Sequence, residues 1–428
     1  MCDNIRAAVV ELPQPTDPNW KSSSIITQRI YPVTSIIDGN NQISGNLQFE
    51  WTVPSGYRQL CDRTQILFDM LSAITGKTTT TVTSQLVPNF PAAFFSTGRF
   101  ELNDYLVSQS NNVPADDTMF KRLINSRVKN ITSNSGSMLY GTDAERLAYW
   151  ATVTRQGVSW KPDCLISNEA ILPSNVKCRI ILTVNPNLNT AANCPATCSS
   201  VAGGAGDDVL RFYSIYLVNT YVKVDQPTPK TVYIPAYSIN SSYQIVNGTN
   251  FNGQWSVPKD TYKIVIALQS NASTVAGGQA VTKFSSGSGS GAQNAYSLYL
   301  TSLQMRYGNA TYPSTAYQIV ESGTQQGSIE PYVNYVANTE GYLDPAGSEA
   351  YADWADPVTT ADKGLGRLFV FSLVKPANSS DTTAEIMSTF STGPTTTRMI
   401  VFSLIKCAIG ITYHDNGQVM EIRSVPYQ

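Results

Sequence analysis

Apolar residues in this chain alternate with polar ones or bunch into short branched runs, and both patterns predict strands. Ile25, Ile26 and Ile30 form one such set. Leu47, Phe49, Trp51 and Val53 form the next, beyond the turn cluster Asp38-Gly39-Asn40-Asn41. Gln65 to Ile74 lies between turn signals and reads as a strand, and the Thr run at 78–83 favours a pleated surface as well. Phe100 to Val107 is a strand candidate, answered later by Ser297 to Tyr307. Asp116 to Ser126 breaks the rhythm, because Met119, Phe120, Leu123 and Ile124 fall on one helical face behind Asp116 and Asp117, which are placed to cap its start. A second short helix is expected at Asp143 to Thr152, and a mixed helical and loop stretch from Glu330 to Asp356. The chain closes on a hairpin: Met399 to Ile411, then Asp415-Asn416-Gly417, then Gln418 to Val425, with Asn-Gly expected to take positive φ at both turn positions.

The pattern occurs twice. Trp51-Thr52-Val53-Pro54 returns as Trp255-Ser256-Val257-Pro258. Arg179 to Pro186 returns as Arg367 to Pro376, an apolar run closed by Pro, and Phe212 to Val224 returns as Ile400 to Thr412. Ordered recurrence of this kind is what a duplicated domain leaves behind. The expected organisation is an N-terminal arm at 1–24, a first β-sandwich at 25–226 and a second at 227–428, joined where two Pro forbid ladder donation in Asp225-Gln226-Pro227-Thr228-Pro229-Lys230. Each Trp should start the same strand of its unit, and the strands at 179–185 and 367–375 should be equivalent. The strands around Ile215 and Ile400 should lie inside their sheets, since both alternating residue sets are largely apolar.

A chain of 428 residues has room for two such cores. Only 14% of residues are charged and the formal net charge is −2, so no basic surface for coating nucleic acid is present, and no direct sequence-specific contact with nucleic acid is expected. The first residues lack the charged and apolar stretches of a signal peptide, which leads to an expectation of synthesis in a reducing compartment. Seven scattered Cys do not read as a disulfide framework, although Cys194 and Cys198 could pair in an oxidised loop.

Candidate chemistry is sparse. The one histidine, His414, precedes the Asp-Asn-Gly turn and reads as a solvated turn residue rather than a base or ligand. Cys194-Pro195-Ala196-Thr197-Cys198 lacks the second pair that zinc needs. Thr75-Gly76-Lys77-Thr78 looks like the end of a phosphate loop, but Leu71 stands where that pattern needs Gly. The Ser/Gly run 285–291 reads as a flexible surface excursion. Tyr332, Tyr335, Tyr342 and Tyr351 read as interface residues in preference to a platform for sugars or bases. No catalytic, cofactor-binding or metal-ligating residue is expected, and the chain is not expected to be an enzyme.

Tyr307-Gly308-Asn309-Ala310-Thr311-Tyr312-Pro313, the segment Tyr332-Val333-Asn334-Tyr335, the strand Leu368 to Leu373, and Ile400 to Leu404 leading to Asn416-Gly417 occur in an order that resembles the C-terminal half of double jelly-roll major capsid proteins. The likeness is greatest to those of polinton-like viruses, virophages and adintoviruses. It covers most of the second half and, through the duplication, the first. The resemblance implies an all-β fold of two tandem eight-stranded jelly-roll sandwiches with a few short helices in loops, related by a rotation near sixfold. It implies a homotrimer forming a pseudo-hexameric capsomer of an icosahedral virion. Its implied partners are neighbouring capsomers, penton and minor capsid proteins, with an internal membrane left open. A receptor- or glycan-binding fibre or spike protein is the alternative reading.

Overall fold

A computed structural model describes residues 25–39, 41–71, 84–86, 89–124, 155–167, 169–186, 188, 197–199, 211–224, 228–270, 284, 300–319, 321–322, 325–326, 329–339, 351, 354, 366–373, 382–391 and 397–426. The expected arm at 1–24, the Thr run at 78–83 and the helix at Asp143 to Thr152 lie outside them.

The first unit runs β1 (Ile25–Ile30), β2 (Asn46–Thr52), β3 (Tyr57–Leu71), β4 (Ser84–Leu86), a 3-10 turn at Phe90–Phe94, β5 (Phe95–Leu102), β6 (Tyr105–Ser110), helix α1 (Val113–Leu123), β7 (Arg155–Trp160), β8 (Ile171–Leu172), β9 (Lys177–Val184), β10 (Thr197–Ser199) and β11 (Arg211–Lys223). The second runs β12 (Thr231–Val246), β13 (Asn250–Ser256), β14 (Thr261–Ser270), β15 (Leu300–Tyr307), β16 (Ala310–Gln318), β17 (Glu321–Ser322), β18 (Gln325–Gln326), helix α2 (Ile329–Asn338), β19 (Leu368–Ser372), β20 (Thr383–Phe390), β21 (Thr397–Tyr413) and β22 (Val419–Pro426).

Each unit packs a five-strand antiparallel sheet on a four-strand one with the same connectivity, the fifth strand being β8 beside β3 in the first and β22 beside β21 in the second. In the first, β1-β11-β3-β7 faces β2-β9-β5-β6; in the second, β12-β21-β14-β19 faces β13-β20-β15-β16. This is a double jelly roll. Strict alternation makes the inner faces: Leu47, Phe49 and Trp51 of β2 and Cys178, Ile180 and Leu182 of β9 are buried while the residues between them are not.

The Trp echo marks equivalent strands. Trp51 in β2 and Trp255 in β13 each stand one residue before the end of the strand, so they close it and do not start it. The backbone then repeats its bonds. Val53 N donates to Val176 O just before β9, and Val257 N donates to Thr382 O just before β20. Tyr57 N to Pro54 O and Thr261 N to Pro258 O then make the same turn into β3 and β14. The third echo also holds, since β11 and β21 are both flanked within their sheets. The second echo does not. Arg179 lies in β9, between β2 and β5, whereas Leu368 starts β19, which pairs with β14 on the other sheet. The true counterpart of β9 is β20, whose sequence is more polar, and an apolar run ending in Pro is common enough in β proteins to mislead.

Three local expectations are corrected. Phe100 to Val107 is two strands, because Asn103 and Asp104 both adopt positive φ (46° and 63°) and turn the chain between β5 and β6. In the last hairpin Gly417 alone takes positive φ (77°), and Gln418 N donates to Asn416 Oδ1 in a three-residue loop with a bulge at Thr412/Tyr413. Burial of both faces is true of β21 and not of β11. Ile400, Phe402 and Leu404 face the junction between units while Met399 and Val401 face the second core, but Tyr213, Tyr216 and Val218 of β11 are exposed or half-buried.

The two Trp residues differ in polar satisfaction. Trp51 Nε1 donates to Gln59 Oε1 at 2.7 Å, and Gln59 continues to Thr64 and Asn219, whereas Trp255 Nε1 is buried without a partner. Trp51→Phe should therefore strand the buried Gln59, and urea denaturation should show it to be about 1–3 kcal/mol more destabilising than Trp255→Phe; equal losses would contradict this account.

Candidate functional site

The chemistry-bearing side chains gather around α1. Its start is set by Pro114 in the first turn, where a missing N–H costs nothing, and Asn112 at the N-cap makes no side-chain bond. Asp116 and Asp117 therefore do not cap the helix. They sit inside it, and every residue from Val113 to Leu123 is buried. A helix buried all round with two Asp, a Lys and an Arg needs polar partners on each face.

Asp117 finds them within the first unit. Its Oδ2 accepts from Lys121 Nζ (2.6 Å), Asn89 Nδ2 (2.9 Å) and Trp160 Nε1 (2.9 Å), and its Oδ1 accepts from the Cys164 amide (3.3 Å). Lys121 Nζ also reaches Lys161 O at 2.9 Å and Asn89 Oδ1 at 3.3 Å, with Asp163 3.8 Å away. Burial lowers the basicity of Lys161 beside this group. Asn89 stands at φ 52°, an αL position that Asn tolerates, and begins the 3-10 turn Phe90–Phe94.

The other face of α1 meets the second unit. Phe120 packs edge-on against Tyr237 of β12 with ring centroids 5.2 Å apart. Arg122, fully buried, donates to Gly366 O at 2.7 Å and lies over the rings of Tyr335 and Phe284, 5.7 and 5.9 Å from their centroids. Tyr335 OH donates back to Arg122 O at 3.4 Å. Trp354 stands within 5.6–6.1 Å of Tyr332, Tyr335, Tyr351 and Phe369. Tyr335 and Trp354 are thus interior residues of the junction, not residues of an outward interface, while Tyr342 lies outside the described residues. The sequence pattern did not indicate this, because Arg122 falls on the side away from the face set by Met119, Phe120, Leu123 and Ile124.

Asp116 has the least compensation. Its Oδ2 accepts from Ser110 Oγ at 2.6 Å, while its Oδ1 makes no close hydrogen bond among the described residues. Burial pushes its carboxyl up to about 7, with the Ser110 hydroxyl, and that of Ser241 on β12, pulling partly back.

A second seam lies at the far hairpin. Tyr413 OH donates to Ser174 O (3.2 Å), Asn175 Nδ2 to Gly417 O (3.0 Å), and the Ser424 amide to Tyr105 OH (3.0 Å). A cleft of about 480 Å³ opens there, lined by Arg58, Ser174, Lys230, His414 and Asp415 among others. His414 is exposed at its rim, on the turn as expected, and Asp415 pairs with exposed Lys230 at 3.6 Å. Cys61, Cys164, Cys178 and Cys407 are buried free thiols, and burial raises the first to about 12. Cys198 lies in β10 against β4; Cys194, Thr75 to Lys77 and the Ser/Gly run lie outside the described residues. Among the described residues no three His, Cys, Asp or Glu side chains gather as a metal site would need. No helix there is long and apolar enough to cross a membrane.

The architecture defines the class first: the chain has the double jelly-roll fold, and solved structures share it over nearly its whole length. A chain from the cryo-electron-microscopy structure of the Sputnik virophage matches with TM-score 0.58 and 12% identity, covering 97% of this chain and 91% of that one. The mavirus major capsid protein matches with TM-score 0.55 and 12% identity, covering 97% and 94%. No family model and no curated protein matches the sequence.

Asp116 gives a pH test. In the unfolded chain its carboxyl titrates near the ordinary 3.8 and in the fold near about 7, so below 3.8 it is protonated in both states and burial costs least. As pH rises through that window only the unfolded chain loses the proton, and stability falls. Asp116→Asn should remove this loss: unfolding free energies measured across the window should show the variant gaining on the parent as pH rises, and a constant difference would refute the assignment.

Proposed function

We propose that the chain is the structural major capsid protein of a virus, assembling as a trimer whose six jelly rolls form a pseudo-hexameric capsomer of an icosahedral shell. The fold it shares with the mavirus major capsid protein supports this reading. The observation that carries it is an unequal exposure of two equivalent faces. The outer face of the second unit's β12-β21-β14-β19 sheet is buried, with Phe120 of α1 against Tyr237, β6 of the first unit along β12 and the chain's own α2 along β19. Its counterpart on the first unit, β1-β11-β3-β7, carries Tyr213 exposed and Tyr216 and Val218 half-buried, with exposed Tyr31 against Tyr216 just beyond β1. The counterpart of α1 is α2, which follows β16 as α1 follows β6. Its Tyr335 turns into the chain, while Ile329 and Val333, one helical turn apart, are 63% and 58% exposed.

Each chain thus offers one unmatched helix face and one unmatched sheet face. In a head-to-tail assembly α2 of one copy would cover the β1-β11-β3-β7 face of the next, as α1 covers β12 within the chain, and such a heterologous contact closes as a ring. Two units per chain and six positions require three copies. The reading divides the chain near residue 227, leaves 1–24 as a clasp, and takes penton and minor capsid proteins as partners, with or without an internal membrane. The protein would be made in the host cytoplasm, reside in the virion and act without catalysis.

Trimer interfaces of the obligate kind bury upwards of roughly 2,000 Å², so light scattering of the purified chain should give a stable trimer at micromolar concentration. Val333→Asp should shift it to monomer with an unchanged circular dichroism spectrum. A monomeric parent would overturn the proposal, and a trimeric Val333→Asp variant would overturn the seam.

A further inference from the structure

The Asn89-Asp117-Lys121 cluster is more than an ion pair, because it brings an amine and a carboxamide together across one carboxylate. Asp117 Oδ2 accepts from Lys121 Nζ at 2.6 Å and from Asn89 Nδ2 at 2.9 Å, while Nζ approaches Asn89 Oδ1 at 3.3 Å. Asn89 and Asp117 are fully buried and Lys121 is 5% exposed. Trp160 covers the group, with Nζ 5.7 Å from its ring centre. The Asn89 amide is further fixed by Thr118 Oγ1 at 3.0 Å, and Nζ by Lys161 O at 2.9 Å, so neither reacting group is free to turn away.

The geometry points to a self-catalysed isopeptide bond between Lys121 Nζ and Asn89 Cγ, with Asp117 as the acid and base. The reaction begins with transfer of a proton from the Lys121 ammonium to the Asp117 carboxylate along their 2.6 Å hydrogen bond, which leaves an amine and a carboxylic acid. The amine attacks Cγ, and the C–Nδ2 bond breaks. Asp117, already hydrogen-bonded to both nitrogens, carries the proton from Nζ to Nδ2, which departs as ammonia and takes the remaining acid proton out as ammonium. One C–N bond forms and one breaks, and no oxidant or cofactor is required. Fixed neighbours of this kind replace a bimolecular encounter, which is the largest obstacle to amide exchange between side chains. The product would tie the turn before β5 to α1, closing a covalent ring around the β5-β6 hairpin at the root of the helix that fills the junction. Like a disulfide, it would restrict the unfolded chain, but no reductant would open it.

Mass spectrometry of the unmodified full-length protein decides the matter. The intact mass should fall one ammonia below the sequence mass. A tryptic digest of the denatured chain should contain a branched peptide joining Asn89 to Lys121, with no cleavage after Lys121. Asp117→Asn and Lys121→Met should each restore the full mass expected of their own sequences; because the parent protein alone gives the primary readout, a variant that fails to fold does not spare the proposal. An intact mass equal to the sequence mass, or a missing ammonia traced to a succinimide at Asn89 without a branched peptide, would overturn it.

Discussion

The fold turns on the cost of burying charge in α1. A helix that holds Asp117, Lys121 and Arg122 out of water can exist only if those charges meet partners, since uncompensated burial of one would cost several kcal/mol. Those partners come from every direction: Asn89 before β5, Trp160 at the end of β7, Cys164 beyond it, and Gly366 and Tyr335 from the second unit. The same demand that fixes the first unit's loops therefore fixes the second unit against it. Apolar packing such as Phe120 on Tyr237 supplies area, but area tolerates sliding, whereas Arg122 bonded to one carbonyl between two rings does not.

The duplicated units have diverged in what they face, not in how they are wound. Both use the same order of eight strands and the same Val-Pro turn after the Trp strand. The first covers the whole of β11 with the long β3, from Leu71 to Tyr57. The second divides that task, with β14 pairing along Thr397 to Ile405 of β21 and β22 pairing from Cys407 to Tyr413. A returning C-terminal hairpin thus completes a sheet that one strand completes elsewhere, and it brings Gly417 and Ser424 to Asn175 and Tyr105 of the first unit.

The alternating patterns made the strands legible, because period-two burial depends on neighbours only through which face is inside. The Trp echo was legible for a similar reason: a bulky inward residue followed by Val-Pro encodes a strand end and its turn locally. Pairing partners were not, and the run from Arg367 to Pro376 was matched to the wrong strand because β9 and β19 share composition while lying on opposite sheets. The charged cluster was hidden for a deeper reason. Asp116-Asp117 before an apolar face is what a solvated helix start looks like, and only the fold brings up Asn89 and Trp160 to show that the carboxylates point inward. The Tyr residues misled in the opposite direction, since Tyr335 closes over Arg122, a residue distant from it in the chain.

Equivalence between the units also turns an exposed surface into an argument. An isolated sheet face with Tyr213 in water is unremarkable, because single apolar side chains are common on protein surfaces. It gains meaning when the same face of the sister unit is buried, with Phe120 of α1 against it, and when the sister of that helix shows Ile329 and Val333 to solvent. Within one chain the pairing of helix and sheet can be made only once, since the second helix and the first sheet are the two ends of the series. On the proposed assembly, repetition of the internal contact between copies would remove both ends at the same time, and closure into a ring would do so without leaving another pair exposed.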